Sequence, residues 1–371
     1  MKPIRVLTPT LDLLAEIDDY ESLVFARCWH KPGEFSLNIN HHKHYVDKLV
    51  KGNLIMLGSD PFKVGMIKHL EIGLNEQGKF SESWQIRGHT LAGLTYRRII
   101  LPPAGQEHDA ISGTAETAMK HYIETCLTNP LNPARRVDLL AIGSNQSRGS
   151  NVNWQSRYRG LADELQQISL LTGLGWLIYL DFQQTRWIFD VLEGRNLTAG
   201  QSVNPRVIFS AEFDGMKTQA FVDSDLNYRN VAYVAGQGEG LDRIVVEVPA
   251  DDPPIGLARI ETFIDARDVE NPANLTARGE QKLAEMSIQQ ALEAQILTKG
   301  PFLYERDWDL GDVVTVQNKG WGITMDARIT EVKEIYEPGG FKLEVTFGNS
   351  WPTLIDKIKQ QLGQMDAEIR R

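Results

Sequence analysis

The stretch that decides the fold is Asp307-Trp308-Asp309-Leu310-Gly311-Asp312-Val313-Val314-Thr315-Val316, read on to Asn349. The turn from Trp308 to Asp312 delivers the short apolar run Val313 to Val316. Ile323, Met325, Ala327 and Ile329 then alternate with Thr324, Asp326, Arg328 and Thr330. Beyond Pro338-Gly339-Gly340, Phe341, Leu343, Val345 and Phe347 alternate with Lys342, Glu344 and Thr346. A period of two sends one set of side chains to a buried face and the other to water. β-Branched and aromatic residues suit the pleated backbone, and the Pro/Gly cluster reverses it. The pattern predicts an antiparallel meander, part of a small barrel.

The same pattern occurs near the start. Gly52-Asn53-Leu54-Ile55-Met56-Leu57 parallels Gly311 to Val316, and Ile67 to Ile72 parallels Ile329 to Ile335. The turn at Glu76-Gln77-Gly78 parallels Pro338-Gly339-Gly340, and Trp84 to His89 parallels Val345 to Asn349. An internal duplication accounts for this, and so does convergence of two meanders on one strand grammar.

A chain of 371 residues holds about two to three domains with ample core. Charged residues at 24% and apolar residues at 42% are ordinary for a folded soluble protein. No apolar run approaches the length of a membrane span, and Met1-Lys2-Pro3-Ile4-Arg5 opens no signal-peptide core. Cys28 and Cys126 make neither a disulfide framework nor a four-ligand zinc site, so folding in a reducing cytosol is expected. The sequons at Asn196 and Asn274 then carry no glycan. A formal charge of −10 argues against clamping nucleic acid, which needs Lys/Arg contacts to phosphate. It does not argue against letting nucleic acid pass.

Residues 1 to about 105 read as β, with Phe35, Leu37 and Ile39 alternating and Pro102-Pro103-Ala104-Gly105 closing the region. The period then changes. Ala115, Ala118, Met119, Tyr122, Ile123, Cys126 and Leu127 mark one face of a helix that Pro130 ends. A linker over Gly143 to Asn153 leads to a second helix from about Tyr158 to Gly173, burying Leu161, Leu165 and Ile168. Trp176 to Leu180 and Trp187 to Leu192 predict a hairpin. β grammar returns at Val207-Ile208-Phe209, Asn230 to Val234 and Ile244 to Val248, with one further strand at Arg259 to Ile264. A helix is predicted from Thr276 to Leu297, on the stripe Ala284, Ile288, Leu292 and Ile296. In the tail, Ile355, Ile358, Leu362, Met365 and Ile369 are spaced 3, 4, 3, 4, the seam of a coiled coil. Two heptads need an assembly already formed; the plainer reading is one amphipathic helix folded on its own domain.

Candidate chemistry is sparse. His41-His42-Lys43-His44 lacks further ligands at metal spacing and reads as a solvated loop. Gly236-Gln237-Gly238-Glu239-Gly240 follows a strand as a phosphate loop would, but another strand comes next instead of a helix, and Glu239 would repel phosphate. Asp18-Asp19 and Asp251-Asp252 are adjacent acids near turns. No nucleophile elbow, H-E-x-x-H or Walker sequence occurs. No catalytic residue, cofactor or metal site is therefore expected. Trp84, Trp176 and Trp187 stand in apolar strand contexts and read as core.

The run Asn227-Tyr228-Arg229-Asn230-Val231-Ala232-Tyr233-Val234-Ala235-Gly236-Gln237-Gly238-Glu239-Gly240 with Arg243, then Leu275 to Arg278-Gly279, Asp309-Leu310-Gly311-Asp312 with Ile329-Thr330-Glu331-Val332, and Phe347-Gly348 together resemble the siphophage tail hub proteins, also called baseplate hub or tail-associated proteins. Gly33-Glu34-Phe35-Ser36-Leu37 and Gly52-Asn53-Leu54-Ile55 fit more loosely. The resemblance implies a mixed α+β, mainly β fold: two barrel-like antiparallel β domains with an inserted α/β module and a C-terminal helix. The expected division is a first barrel-like domain at 1–105, the α/β module at 106–204, a β segment completing the barrels at 205–255, a second hub domain at 256–350 and the helix at 351–371.

The resemblance further implies a homotrimeric ring of quasi-six-fold symmetry in a phage tail tip, assembled in the host cytoplasm. Such a ring would join the hexameric tail tube to three-fold spike or fibre proteins and let DNA pass without specific binding. The seam residues Ile355, Ile358, Leu362, Met365 and Ile369 would meet near its axis, around a neutral or acidic channel. The chain is expected to end at that helix without a receptor-binding or cell-wall-cleaving domain. Two other classes compete: a tail-tip peptidoglycan- or peptide-cleaving enzyme, which wants a compact nucleophile or paired-acid motif, and a carbohydrate-binding module, which wants exposed aromatics.

Overall fold

Alternation, clearest in β4, and the continuous apolar run of β5 write the first seven strands: β1 (Ile4–Leu7), β2 (Leu13–Ile17), β3 (Ser22–Cys28), β4 (Glu34–Asn40), β5 (Leu54–Leu57), β6 (Val64–Glu71) and β7 (Ser83–Thr90). In the computed structural model, which describes residues 1–73, 82–210, 212, 216–249, 254–267, 269, 273–286, 288–297 and 300–348, they run antiparallel in the order β3-β4-β7-β6-β5-β1-β2. Phe35, Leu37 and Ile39 face inward, and with Leu23, Phe25, Ile55, Ile67 and Ile86 they make one core. The turn at Glu76-Gln77-Gly78 lies outside the described residues.

The α/β module comprises β8 (Asp109–Thr114), α1 (Ala115–Ile123), a π turn at Glu124–Thr128, β9 (Leu140–Ile142), β10 (Asn151–Ser156), α2 (Leu161–Thr172), β11 (Gly175–Asp181) and β12 (Arg186–Leu192). Thr114 caps α1 by accepting from Thr117 N. Gly173, at φ 74°, ends α2 in the left-handed region that favours glycine. Both predicted helices and the hairpin are present, and their apolar faces share one core with Trp176 and Trp187. The predicted linker is shorter than expected, because its end enters β10, which pairs with β8.

The chain continues through β13 (Ile208–Ser210), β14 (Met216–Ser224), β15 (Val231–Ala235), β16 (Val245–Pro249), β17 (Glu261–Asp265), α3 (Ala273–Glu285), β18 (Gln289–Ile296), β19 (Val313–Asn318), β20 (Ile323–Glu337) and β21 (Gly340–Gly348). One expectation fails here. The helix predicted to reach Leu297 stops at Glu285, and the residues after it form β18. Ile288, Leu292 and Ile296 satisfy a spacing of four, but so does every second repeat of a strand. Leu292, Ala294 and Ile296 are buried while Glu293 faces water, and the sheet takes the segment.

The quoted motif around Val231–Gly240 lies in a separate small sheet, β16-β15-β17, while β13 and β14 before it join the main sheet. A Cβ at Gly279 would lie 2.7 Å from Val248 and 2.9 Å from Val234, so only glycine lets α3 pack this close. Arg243 closes the Gly236–Gly240 loop by donating to the carbonyls of Gly236 and Ala235.

Among the described residues, β13, β14 and β18–β21 join the first seven strands in one thirteen-stranded sheet, through β20 and β3. The class is mixed α+β, mainly β, as expected. The halves nevertheless do not close into barrels. β20 is 15 residues long; its first part pairs with β19 and its last part with β3 of the other half. The strand that would close one half is thus used to join the two, and β2 and β14 stay at the sheet ends.

Candidate assembly site at the junction of the two halves

The junction begins as backbone pairing, with Glu331 opposite Cys28 through Tyr336 opposite Leu23. Its side chains are unusually polar for a core. Lys63, 1% exposed, ion-pairs with Glu334 and Glu305 and stands 3.8 Å from Asp60. Tyr304 and Tyr336 donate to the two oxygens of Glu334 at 2.8 and 2.6 Å. Arg27 donates to Tyr304 Oη and Asp309 Oδ1, both at 2.5 Å. Burial alone would raise the Glu334 carboxyl; Lys63, Tyr336 and Arg27 reverse this and hold its pKa below the usual range. Burial likewise opposes the Arg27 charge, but Tyr304, Asp309 and Glu334 outweigh it and push its pKa up. Glu334 and Arg27 therefore stay charged, each held by partners that offset its desolvation.

Trp29 locks the α/β module onto this junction. Its Nε1 donates to Gly173 O at 2.9 Å, and the Arg328 guanidinium lies 5.5 Å from its ring. Cβ atoms at Gly175 and Gly311 would lie 2.4 and 2.0 Å from the ring, so both glycines are required by the close approach. Asp312 accepts from Arg195 N and Nη2 and from Asp309 N, tying the module's exit to the second half. Beside Trp29, His30 meets Ser169 Oγ at 2.7 Å, and burial and Arg328 push its pKa down to about 3.

A cavity of about 320 Å³ opens where the three regions meet, walled by Phe62, Trp176, Ile178 and Leu310 with Asp60, Glu305 and Asp309. Those three carboxylates are already engaged by Lys63 and Arg27. The arrangement can hold regions together; it presents no free pair of acids.

The sequence-predicted residues fare unevenly. Ile355, Ile358, Leu362, Met365 and Ile369, with Asp251-Asp252, lie outside the described residues. His41 accepts from Trp84 Nε1 at 2.9 Å, in a loop after β4. Among the described residues no three His, Cys, Asp or Glu side chains converge as a metal site would need. Trp176 and Trp187 are core, whereas Trp84 is half-buried at its margin. Asp19 pairs with Lys43 at the surface. No motif in the sequence marks the junction residues Arg27, Trp29, Lys63 and Glu334. A lysine directly preceding an apolar strand, and a glutamate at a core-facing position of β20, were the available signals. No described helix is long and apolar enough to cross a membrane.

Compared with known proteins, residues 3–349 match the family described as siphovirus ReqiPepy6 Gp37-like protein. The 43 kDa tail protein of prophage MuSo2 from Shewanella oneidensis is similar over 93% of this chain and 98% of its own, with a TM-score of 0.58 at 12% identity. The tail protein from Neisseria meningitidis MC58 covers 94% and 96%, with a TM-score of 0.55 at 14% identity. Prophage tail protein gp18 from Listeria monocytogenes EGD-e covers 98% and 99%, with a TM-score of 0.50 at 14% identity. At these identities the likeness is one of fold. No curated protein matches.

Proposed function

The chain belongs to the family of siphovirus ReqiPepy6 Gp37-like proteins, and from that premise we propose that it is a structural protein of a phage tail, forming a trimeric ring between the tail tube and three-fold components at the tip. Its fold is that of phage tail proteins, and the observation that carries the ring is the internal repeat. β5-β6-β7-β4-β3 and β19-β20-β21-β18-β14 have one strand order, so each copy offers two near-equivalent β units. Three such copies present six units to a hexameric tube and three-fold symmetry to the other side, which is what a duplicated gene supplies. The role is scaffolding. The buried carboxylates Asp109, Glu116, Glu164, Asp312 and Glu334 are each engaged by histidine, lysine, arginine, tryptophan or tyrosine partners.

The ring's channel is neutral or acidic in this reading. Three copies carry 3 × −10 = −30 formal charges, and a lumen without lysine and arginine removes the counterion-release term that makes DNA stick. The tail seam of Ile355, Ile358, Leu362, Met365 and Ile369 lies near the axis. Light scattering tests the central claim: a mass three times 41.8 kDa is expected, and a monomer at every concentration reached overturns the ring. Leu362→Asp is expected to weaken assembly without changing secondary structure, and normal assembly removes the seam from the interface. Clearing of purified peptidoglycan by the chain would replace scaffolding with lysis.

A further inference from the structure

Within one chain, Glu331–Tyr336 of β20 hold Leu23–Cys28 of β3 antiparallel. Both partners have counterparts in the opposite halves. β14 occupies the place of β3: Phe221 faces Leu292 as Phe25 faces Phe35, and Gln219 faces Ala294 as Leu23 faces Leu37. β6 occupies the place of β20: Ile67 and His69 face Gly88 and Arg87 across a bulge, as Ile329 and Glu331 face Phe347 and Thr346. Yet β14 ends the sheet, and β5 flanks β6 only over Val64, Gly65 and Met66. Among the described residues, the edge from His69 to Gly73 has no strand on the side away from β7. The chain thus carries one free copy of each side of a joint it already makes internally.

We propose that β14 of one copy pairs antiparallel with the His69–Gly73 edge of a second copy, repeating between chains the β3–β20 joint. Transferring the register observed within the chain sets Ser224 opposite His69, Asp223 opposite Leu70, Val222 opposite Glu71, Phe221 opposite Ile72 and Ala220 opposite Gly73. Burial supports the same partner. Phe25 and Val332 are fully buried in the internal joint, whereas their counterparts Phe221 and Leu70 are half-exposed and Val222 is 39% exposed. Unpaired strand edges are templates for pairing, and here each edge has its complement on an identical chain. Because the two edges differ, the contact is head-to-tail, the kind that closes into rings. This deepens the ring reading above and rests on it.

The joint between chains lacks the ion network. Arg27 corresponds to Asp223, Glu334 to Ile72, and Lys63 to Met325. Backbone hydrogen bonds and apolar contacts hold it, so it is separable where the internal joint is not.

Opposed residues of antiparallel strands lie about 4.5–5.5 Å apart at Cα, within reach of a disulfide. The test uses the full chain carrying Glu71→Cys, Val222→Cys or both, with mass followed by light scattering. On mild oxidation the double variant is expected to give covalent dimers and trimers. An equimolar mixture of the two single variants is expected to give only mixed dimers, and each single variant alone none. Val222→Lys is expected to abolish the trimer peak while the circular dichroism spectrum is unchanged. A trimer that does not cross-link in the double variant overturns this edge and leaves the ring standing. Val222→Cys cross-linking to itself overturns the head-to-tail arrangement. A monomer at every concentration, with no cross-link, overturns both readings.

Discussion

The two halves of the sheet share a backbone and differ in what fills it. In both, a glycine at positive φ opens the meander, Gly52 at 97° and Gly311 at 91°. Gly52 N donates to Ile67 O and Ile67 N to Asn53 O; Gly311 N donates to Ile329 O and Ile329 N to Asp312 O. A bulge follows each isoleucine, after Ile67 and after Ile329. Phe35, Leu37 and Ile39 of one half stand where Leu292, Ala294 and Ile296 stand in the other. Convergent strand grammar reproduces alternation. It has no reason to reproduce a bulge, a paired turn and a register together, so this agreement favours duplication. The contents diverge where the halves meet other regions: one carries Lys63 where the other has Met325, and Gly52 faces open space where Gly311 is pressed on Trp29.

The sharpest way to break the comparison is to undo the charge that distinguishes the halves. Lys63→Met leaves Glu334 buried without its main partner and is expected to cost about 3–5 kcal/mol. The double variant Lys63→Met, Glu334→Ile installs the residues of the equivalent positions and is expected to recover most of that loss. Urea denaturation measures both; equal losses in single and double variants would mean that the ion pair is not what holds the joint.

The glycine pair gives the next effect. Gly52→Ala meets only the positive φ, about 1–2 kcal/mol. Gly311→Ala adds the collision with Trp29 and is expected to lose about 3 kcal/mol in all. The same midpoint shift for the two would contradict the tight packing at Trp29.

The smallest effect is a pH dependence at the joint with the α/β module. His30 stays neutral in the folded chain down to about pH 3, whereas the unfolded chain binds its proton near about 6.5. Below that pH the unfolded state takes up a proton that the native state refuses, so stability falls as pH drops toward 3. Between pH 7 and 5 the loss is about 2 kcal/mol. His30→Gln is expected to flatten this window; an unchanged acid limb would place the titration elsewhere.

Strands were legible wherever one face is buried and the other wet, as at Phe35–Ile39 and Phe341–Phe347. They were misread where two periods coincide, as at Ile288–Ile296, because a stripe at every fourth residue belongs to a helix and a strand alike. The small sheet of β15–β17 was legible as strands but not as a separate layer, since Gly279 reveals its purpose only against Val234 and Val248.

By itself the sequence determined the class and most of the local elements, because alternation, caps and turn residues act over a few positions; the agreement of bulge, turn and register that marks the repeat came from the structure. Tertiary structure alone decided that β20 leaves its own half to hold β3, and that Lys63 finds Glu334 across 271 residues of chain. Those choices depend on which edges and charges meet once the halves fold. A one-dimensional pattern records which face is apolar, and it does not record which neighbour that face will find.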